Sequence, residues 1–159
     1  MSNCAQGQGC ARIKVVGAMN GQLLGLGVDV VSITRFEAKL LRWGDRLLER
    51  LFCEGEVPKF SEYGHRGRRA VEIWAGRFAI KEAVMKCLGL GLGSVPWRDI
   101  RTVRFPSGQP GVELCGKCLD LAGKAGVGHV WVSLSHSDDV CVAVAVATRG
   151  RSAAGGGDS

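Results

Sequence analysis

The stretch WAGRFAIKEAVMKCLGLGLGS, residues 74–94, decides the fold of this 159-residue chain. Its bulky apolar residues recur at helical spacing and, at about 100° per residue, fall within roughly 80° of one another. They are Trp74, Phe78, Met85 and Leu88. The pattern predicts one amphipathic helix whose apolar stripe is buried. The glycines that follow, Gly89, Gly91 and Gly93, either cap the helix or let the backbone approach an anion, and the sequence leaves both open.

A carboxylate and an ammonium lie together at one edge of this predicted stripe. Glu82 is about 80° round the helix from Trp74, and Lys86 follows Glu82 by one turn. A charged pair at the edge of a buried apolar stripe is a first indication of a functional site. Taken alone, it is equally compatible with a structural helix.

Length and composition indicate one globular domain. The chain is 46% hydrophobic and 23% charged, which suits a single domain with a substantial core. We predict a loosely ordered extension over residues 1–20, a folded domain over 21–149 and a disordered tail over 150–159. Met19 lies just before the first predicted strand and is a second candidate start of translation.

Charge and cysteine content restrict the compartment and the partners. No apolar run approaches the ~20 residues of a membrane span, and no secretory signal pattern opens the chain, so we expect a cytoplasmic protein. Seven cysteines without regular spacing suit reduced thiols, and the pair Cys115 and Cys118 lacks a second pair at zinc-finger distance. The net charge of +6 indicates an acidic partner, which is a nucleic acid, an acidic protein or a phosphorylated ligand.

An acidic residue interrupts the first predicted strand, residues 23–31. Large apolar residues alternate along it, and Asp29 falls on the other face with Gly25 and Gly27. Because an unpaired buried carboxylate costs several kcal/mol, Asp29 must be hydrogen-bonded, protonated, salt-bridged or bound to a cation. A structural role at the strand end remains an alternative.

A second helix is predicted over residues 34–51. Thr34 and Glu37 form a capping box, and Gly44 marks a possible break. A basic stripe runs beside its apolar stripe and suits an acidic helix as partner, although solvated surface charges explain it equally well. The basic residues are Arg35, Lys39, Arg42 and Arg46.

The rest of the chain predicts a hairpin, a short helix and two more strands. The hairpin strands are 100–105 and 112–114, the helix is 119–125, and the last strands are 130–135 and 140–148 with His136 at the turn. The basic run 65–69, HRGRR, is interpreted as a solvated turn. This order of elements indicates the α+β class, with helices on one side of a mainly antiparallel sheet.

Three separated segments resemble the holo-[acyl-carrier-protein] synthase family of small 4′-phosphopantetheinyl transferases. They are GLGVDVVSITRFE from Gly25, WAGRFAIKEAVMKCLGLGLG from Trp74 and VSLSHSDD from Val132, in the family's order and spacing. The resemblance covers residues 23–146. It implies the 4′-phosphopantetheinyl transferase-like fold, assembled as a homotrimer with active sites between subunits.

The resemblance also implies roles for individual residues. It assigns Mg²⁺ binding to Asp29 and Glu82 and a phosphate contact to Lys86, and these three are the implied catalytic residues. Two carboxylates together with the diphosphate of coenzyme A would make a chemically complete magnesium site. Further implied contacts with coenzyme A are Arg77, Gly108, Pro110 and His136, and implied contacts with the acidic helix of the carrier protein are Arg35 and Arg42.

The implied reaction transfers the 4′-phosphopantetheine arm of coenzyme A to a serine of apo acyl carrier protein and releases adenosine 3′,5′-bisphosphate. The base for the serine hydroxyl is either metal-bound water or Glu82. The chain departs from the family at Ser32, where an acidic residue is common. Two other classes stay open from the sequence: a non-catalytic carrier-protein or nucleotide-binding module on this fold, and a nucleic-acid binder favoured by charge alone.

Overall fold

The computed structural model describes residues 22–62, 67–91 and 93–150, so the predicted extension 1–20 and positions 151–159 of the predicted tail lie outside the described residues. The elements within these ranges follow the predicted order. They are β1 (Leu23–Ser32), α1 (Ile33–Trp43), α2 (Asp45–Leu51), α3 (Arg68–Cys87), β2 (Ile100–Arg104), β3 (Pro110–Leu114), α4 (Gly116–Lys124), β4 (Val127–Ser137) and β5 (Val140–Arg149). The α+β class is confirmed.

A three-stranded antiparallel sheet in the order β1-β5-β4 carries the long helix α3 on one face. The strands present mostly small residues to α3, and in β1 these are glycines. A Cβ added at Gly25 would lie 2.0 Å from the carbonyl oxygen of Cys87, and one at Gly27 would lie 2.0 Å from that of Ala83. Only glycine therefore permits the observed approach of strand and helix.

The opposite face of the sheet is apolar and partly open. Leu26, Val28 and Val30 are 61%, 45% and 59% exposed, and the residues directly opposite them on β5 are also valines. β1 is an edge strand, paired only with β5 among the described residues. A continuous apolar surface, which we call the outer face, thus lies on the side of the sheet away from α3. It comprises Leu26, Val28, Val30, Val142, Val144 and Val146.

Helix α3 differs from the predicted amphipathic helix in its start and in its burial. It begins at Arg68 rather than Trp74, so Arg68 and Arg69 of the basic run belong to its first turn. Burial extends well beyond the single predicted stripe, because the sheet, α1 and the β2–β3 hairpin all pack on it. Even Lys81 is fully buried.

The predicted break at Gly44 is confirmed, whereas the predicted capping box is wrong. Gly44 separates α1 from α2 with φ of 54°, a conformation that favours glycine. The N-cap of α1 is Ser32, whose Oγ accepts a hydrogen bond from the backbone N–H of Arg35 at 3.2 Å. Thr34 lies inside the helix, and its N–H and hydroxyl both donate to Asp139 of the β4–β5 turn. The local cap is thus Ser32 rather than Thr34, and a distant carboxylate takes the bonds of Thr34 that the capping box would have used.

The remaining elements are confirmed with somewhat different bounds: β2 is one residue shorter than predicted, α4 begins and ends earlier, and the other strands are longer. β2 and β3 form a separate antiparallel hairpin, and β4 and β5 pair from Val127 to Arg149. His136 lies within β4, opposite Cys141, rather than at the turn. Among the described residues, no helix is long and apolar enough to cross a membrane.

Candidate active site

The two carboxylates singled out in the sequence meet at the contact between β1 and α3. The Nζ of Lys86 donates to Asp29 Oδ1 at 2.8 Å and to the carbonyl oxygen of Val28 at 3.0 Å. Glu82, one turn earlier on α3, interacts electrostatically with both Asp29 and Lys86. The glycines of β1 let the strand approach the helix closely, and this approach brings the carboxylate of Asp29 within reach of the helix. We call Asp29, Glu82 and Lys86 the carboxylate cluster.

The carboxylate cluster perturbs the proton affinities of its members. Partial burial, and secondarily the negative charge of Asp29, raises the pKa of Glu82 above its usual range. The hydrogen bond to Asp29 raises the pKa of Lys86, whose side chain is 52% exposed. Two neighbouring carboxylates, with the partly exposed Lys86 beside them and Lys39 also acting on Glu82, form an acidic site that can accept a cation.

The donor set of this cluster fits Mg²⁺. Carboxylate oxygens are the ligands that Mg²⁺ prefers, and it commonly uses one or two of them together with waters and substrate phosphates. Within the part of the chain that the structure describes, no group of three His, Cys, Asp or Glu side chains is arranged to hold a metal ion. For a metal held by Asp29 and Glu82, waters and substrate phosphates are suitable further ligands.

A basic cleft of about 790 Å³ lies between α3, the β2–β3 hairpin and the end of β4. Its wall includes Thr102 and the buried thiol of Cys141. Four of the five residues that the resemblance implied for coenzyme A line it, namely Arg77, Gly108, Pro110 and His136, whereas the fifth, Lys86, does not. Three further arginines, Arg68, Arg69 and Arg104, make the wall strongly positive, with Glu72 as the one acidic residue among the lining residues that the structure describes.

Arg77 is held on one side and open on the other. Its Nη1 donates to the carbonyl oxygen of Thr102 at 2.9 Å and to the Thr102 hydroxyl at 2.8 Å. Desolvation lowers the pKa of Arg77, and Arg104 and Arg101 lower it further, although a guanidinium stays protonated at neutral pH. Among residues 22–62, 67–91 and 93–150, no protein acceptor bonds its other N–H groups. These groups are available to an anionic ligand in the cleft.

The turn after β2 contributes a backbone wall to the cleft. Gly108 has φ of 85°, which favours glycine, and its carbonyl oxygen accepts from Arg104 Nε at 3.1 Å. Pro110 then starts β3 opposite Arg104. The turn is thus held to the side chain of Arg104 at the rim of the cleft.

The carboxylate cluster and the cleft lie on opposite sides of α3. Arg77 and Lys86 are nine positions apart, which corresponds to about 180° around the helix. Arg77 bonds to β2, whereas Lys86 bonds to β1. The residues that line the cleft include none of the cluster. Within one chain, the predicted metal site, together with Lys86, is therefore separate from the other four predicted coenzyme A contacts.

Helix α1 presents its basic side chains to solvent. Arg35 and Arg42 are both exposed, and the guanidinium of Arg42 lies 5.1 Å from the ring centroid of Trp43. Asp139 joins the start of this helix to α3, since it accepts from Ser32 Oγ at 2.9 Å and from Arg68 Nη2 at 3.3 Å. Ser32, at the position where the family commonly has an acidic residue, caps α1. Its hydroxyl donates to the carboxylate of Asp139 in the β4–β5 turn.

The sequence interpretation missed the arginines at the start of α3 and a buried ion pair. Arg68 and Arg69 line the cleft, and their signal was the basic run, which we interpreted as a solvated turn. Lys81 pairs with Glu56 at 2.9 Å, and both side chains are fully buried. Lys81 follows Trp74 by seven residues, which places it only about 20° away on the helix, so its position on the core stripe was readable from the sequence. Nothing in the sequence indicated Glu56 as its partner.

Comparison with known proteins gives consistent matches over most of the chain. Residues 25–145 match the model of the 4′-phosphopantetheinyl transferase superfamily. The holo-[acyl-carrier-protein] synthase of Desulforudis audaxviator is 42% identical over 79% of this chain and 92% of its own length, and that of Moorella thermoacetica is 42% identical over 78% and 93%. Among solved structures, a holo-(acyl-carrier-protein) synthase of Bacillus anthracis in complex with CoA (3′,5′-ADP) has a TM-score of 0.64 and 31% identity, and the match covers 80% of this chain and 98% of that one.

Proposed function

The chain belongs to the 4′-phosphopantetheinyl transferase superfamily, as a relative of the holo-[acyl-carrier-protein] synthases, and we propose its reaction and the division of labour in its site from that membership. It transfers the 4′-phosphopantetheine arm of coenzyme A to a serine of apo acyl carrier protein. The products are holo carrier protein and adenosine 3′,5′-bisphosphate. The observation that supports the assignment is the carboxylate cluster, in which two carboxylates and a lysine come together where β1 meets α3.

The basic cleft binds the nucleotide end of coenzyme A. That molecule carries a diphosphate and a 3′-phosphate, and the cleft offers guanidinium groups at Arg68, Arg69, Arg77 and Arg104. Arginine binds phosphate through two parallel N–H groups, for which the open side of Arg77 is suited. The complex of the Bacillus anthracis relative with CoA supports this use of the fold.

Asp29 and Glu82 hold Mg²⁺ in this proposal. The ion supplies neutralisation of the charge that develops on the transferred phosphoryl group. With the ion bound, Asp29 would serve as one of its ligands, and the half-exposed ammonium of Lys86 would be available to contact the phosphates of coenzyme A. The serine oxygen forms the new P–O bond, the P–O bond of the diphosphate to the nucleotide breaks and releases adenosine 3′,5′-bisphosphate, and the hydroxyl proton passes to a base, which is either water or Glu82.

Helix α1 docks the carrier protein. Arg35 and Arg42 are exposed on the same helix, seven positions apart and thus on nearly the same side. Paired guanidinium groups on one helical face suit an acidic partner helix. Asp139 fixes the start of this helix against α3, and thereby sets the docking surface relative to the site.

The active site is completed between subunits of a homotrimer. The outer face is apolar and exposed, which is unusual for a monomer and typical of an interface. Because the carboxylate cluster and the cleft lie on opposite sides of α3, a neighbouring copy is the simplest way to bring one cluster to one cleft. We also propose a cytoplasmic location, since the cysteines of the described residues are all thiols.

A mass-shift assay tests the reaction. The purified chain, Mg²⁺, coenzyme A and an apo acyl carrier protein are expected to yield a carrier protein heavier by one phosphopantetheine arm. If the mass stays unchanged while an authentic transferase modifies the same carrier protein, the assignment fails. Coenzyme A binding without transfer would instead indicate a non-catalytic module.

Sedimentation tests the assembly. We expect the wild-type chain to sediment as a trimer and Val28→Glu, which places a charge on the outer face, to sediment as a monomer. A trimer that survives this substitution would place the interface elsewhere, and a monomeric wild type would remove the intersubunit site.

A further inference from the structure

Four side chains form a chain of hydrogen bonds from the core to the cleft. Lys81 pairs with Glu56, Glu56 accepts from Thr102, and Thr102 accepts from Arg77. Only the last of these side chains has been given a role in ligand binding. The first three are buried, and Lys81 is fully so.

The direction of each hydrogen bond in this chain is fixed. A hydroxyl has a single hydrogen to donate. The Thr102 hydroxyl donates it to Glu56 Oε1 at 2.7 Å and so presents a lone pair to Arg77 Nη1 at 2.8 Å. Glu56 is an acceptor held in turn by Lys81 Nζ and by the backbone N–H groups of Cys53 and Thr102. The guanidinium of Arg77 therefore has one favoured orientation.

The same network holds the strand that forms the wall of the cleft. Lys81 Nζ donates to the carbonyl oxygens of Ile100 and Trp97, and Glu56 binds β2 at Thr102. The ammonium also lies 5.0 Å from the ring centroid of Phe52. The buried Glu56–Lys81 ion pair thus holds β2 in place and, through Thr102, also holds Arg77.

From this geometry we infer that Thr102, supported by the buried Glu56–Lys81 pair, is a positioning residue that orients Arg77 toward the anionic nucleotide of coenzyme A. The inference rests on the proposed function, in which Arg77 contacts that ligand. It predicts a specific effect on coenzyme A binding, because one guanidinium edge is held by Thr102 and the other faces the cleft. Binding of the carrier protein, which docks on α1, is expected to be unaffected.

The test compares Thr102→Val with Thr102→Ser, which keeps the hydroxyl. We expect Thr102→Val to raise the Kd for adenosine 3′,5′-bisphosphate and the KM for coenzyme A by about five- to tenfold, since it removes one bond to a charged group. The kcat and the KM for the carrier protein are expected to stay within about twofold. Thr102→Ser is expected to behave as wild type. Thr148→Val, at another buried threonine in β5, is the matched control and is expected to change neither constant.

A double-substitution cycle separates positioning from a general structural effect. In an Arg77→Met background, Thr102→Val is expected to add no further loss of nucleotide binding, because its effect passes through Arg77. Circular dichroism checks that each variant is folded, and Thr102→Ala replaces Thr102→Val if the latter is not.

Several results would overturn the inference. These are unchanged nucleotide binding in Thr102→Val, an equal loss in Thr102→Ser, additive losses in the double variant, or parallel increases in the KM values of both substrates. A wild-type chain that neither binds coenzyme A nor modifies the carrier protein would instead refute the proposed function, so the two failures are distinguishable.

Discussion

Helix α3 carries two lysines, five positions apart, that form two very different ion pairs. Lys81 is fully buried, bonds to Glu56 and to two backbone carbonyls, and has its pKa lowered by desolvation. Lys86 is half-exposed, bonds to Asp29, and has its pKa raised by that bond. The first pair is enclosed on every side by protein, whereas the second borders solvent. The first pair is therefore suited to fixing the structure, and we propose that the second exchanges partners when ligands bind.

The largest expected difference between the two pairs is in stability. Lys81→Met leaves Glu56 as a buried, unpaired carboxylate, which costs about 3–5 kcal/mol of unfolding free energy. Lys86→Met removes a pair whose ammonium is half-exposed, although the side chain of Asp29 is only 14% exposed, and is expected to cost about 1 kcal/mol, less than Lys81→Met. Urea denaturation of both variants measures this contrast. Equal losses would show that burial does not distinguish the pairs.

The next largest effect is expected on the rate. Glu82→Gln removes one of the two proposed metal ligands, and we expect kcat/KM to fall by at least about a hundredfold, equivalent to about 2.7 kcal/mol. Stability is expected to be unchanged or slightly higher, because desolvation and Asp29 already disfavour the charge of Glu82. Transferase assays and urea melts measure the two quantities. Asp120→Asn, at an exposed carboxylate on α4, is the matched control and is expected to retain full activity.

Lys86→Met is expected to have a smaller effect on the rate. The lysine contributes one cationic contact to the phosphates, which we expect to be worth about tenfold in kcat. Steady-state kinetics measure it, with Lys124→Met on α4 as a control at another exposed lysine. Wild-type activity in Lys86→Met would mean that the exposed pair only holds β1 against α3.

The smallest effect is expected at a carboxylate that is held mainly by neutral donors. The hydroxyls of Thr34 and Ser32 lower the pKa of Asp139 from 3.8 to about 2. A depressed carboxylate pKa stabilises the fold above the unfolded-state pKa, and this contribution is lost as the pH falls through the folded-state value. We therefore expect Asp139→Asn to be less stable than wild type at neutral pH, with the difference shrinking between pH 4 and pH 2. Thermal melts across that range measure it, and a pH-independent difference would count against the assignment.

The elements that carry the site were predictable from the sequence, whereas the long-range contacts that fix them were not. The strand with Asp29 and the helix with Glu82 and Lys86 each have a local periodic pattern, which predicts the element. The family resemblance then assigned their charged residues to one site. The partner of Lys81 was not predictable, because Glu56 lies 25 positions earlier in a segment between helices. The cap of α1 was predicted wrongly for the same reason: Asp139, more than a hundred residues away, competes successfully with the local Glu37. Long-range polar contacts carry no periodic signal.

Two missing side chains in β1 restrict how this enzyme can vary. A methyl group at Gly27 would meet the helix carbonyl of Ala83, and one at Gly25 would meet that of Cys87, so β1 would have to move away from α3 and take Asp29 with it. Neither glycine carries a functional group, yet the position of Asp29 beside α3 depends on both. At these two positions, no residue larger than glycine keeps β1 in its observed contact with α3.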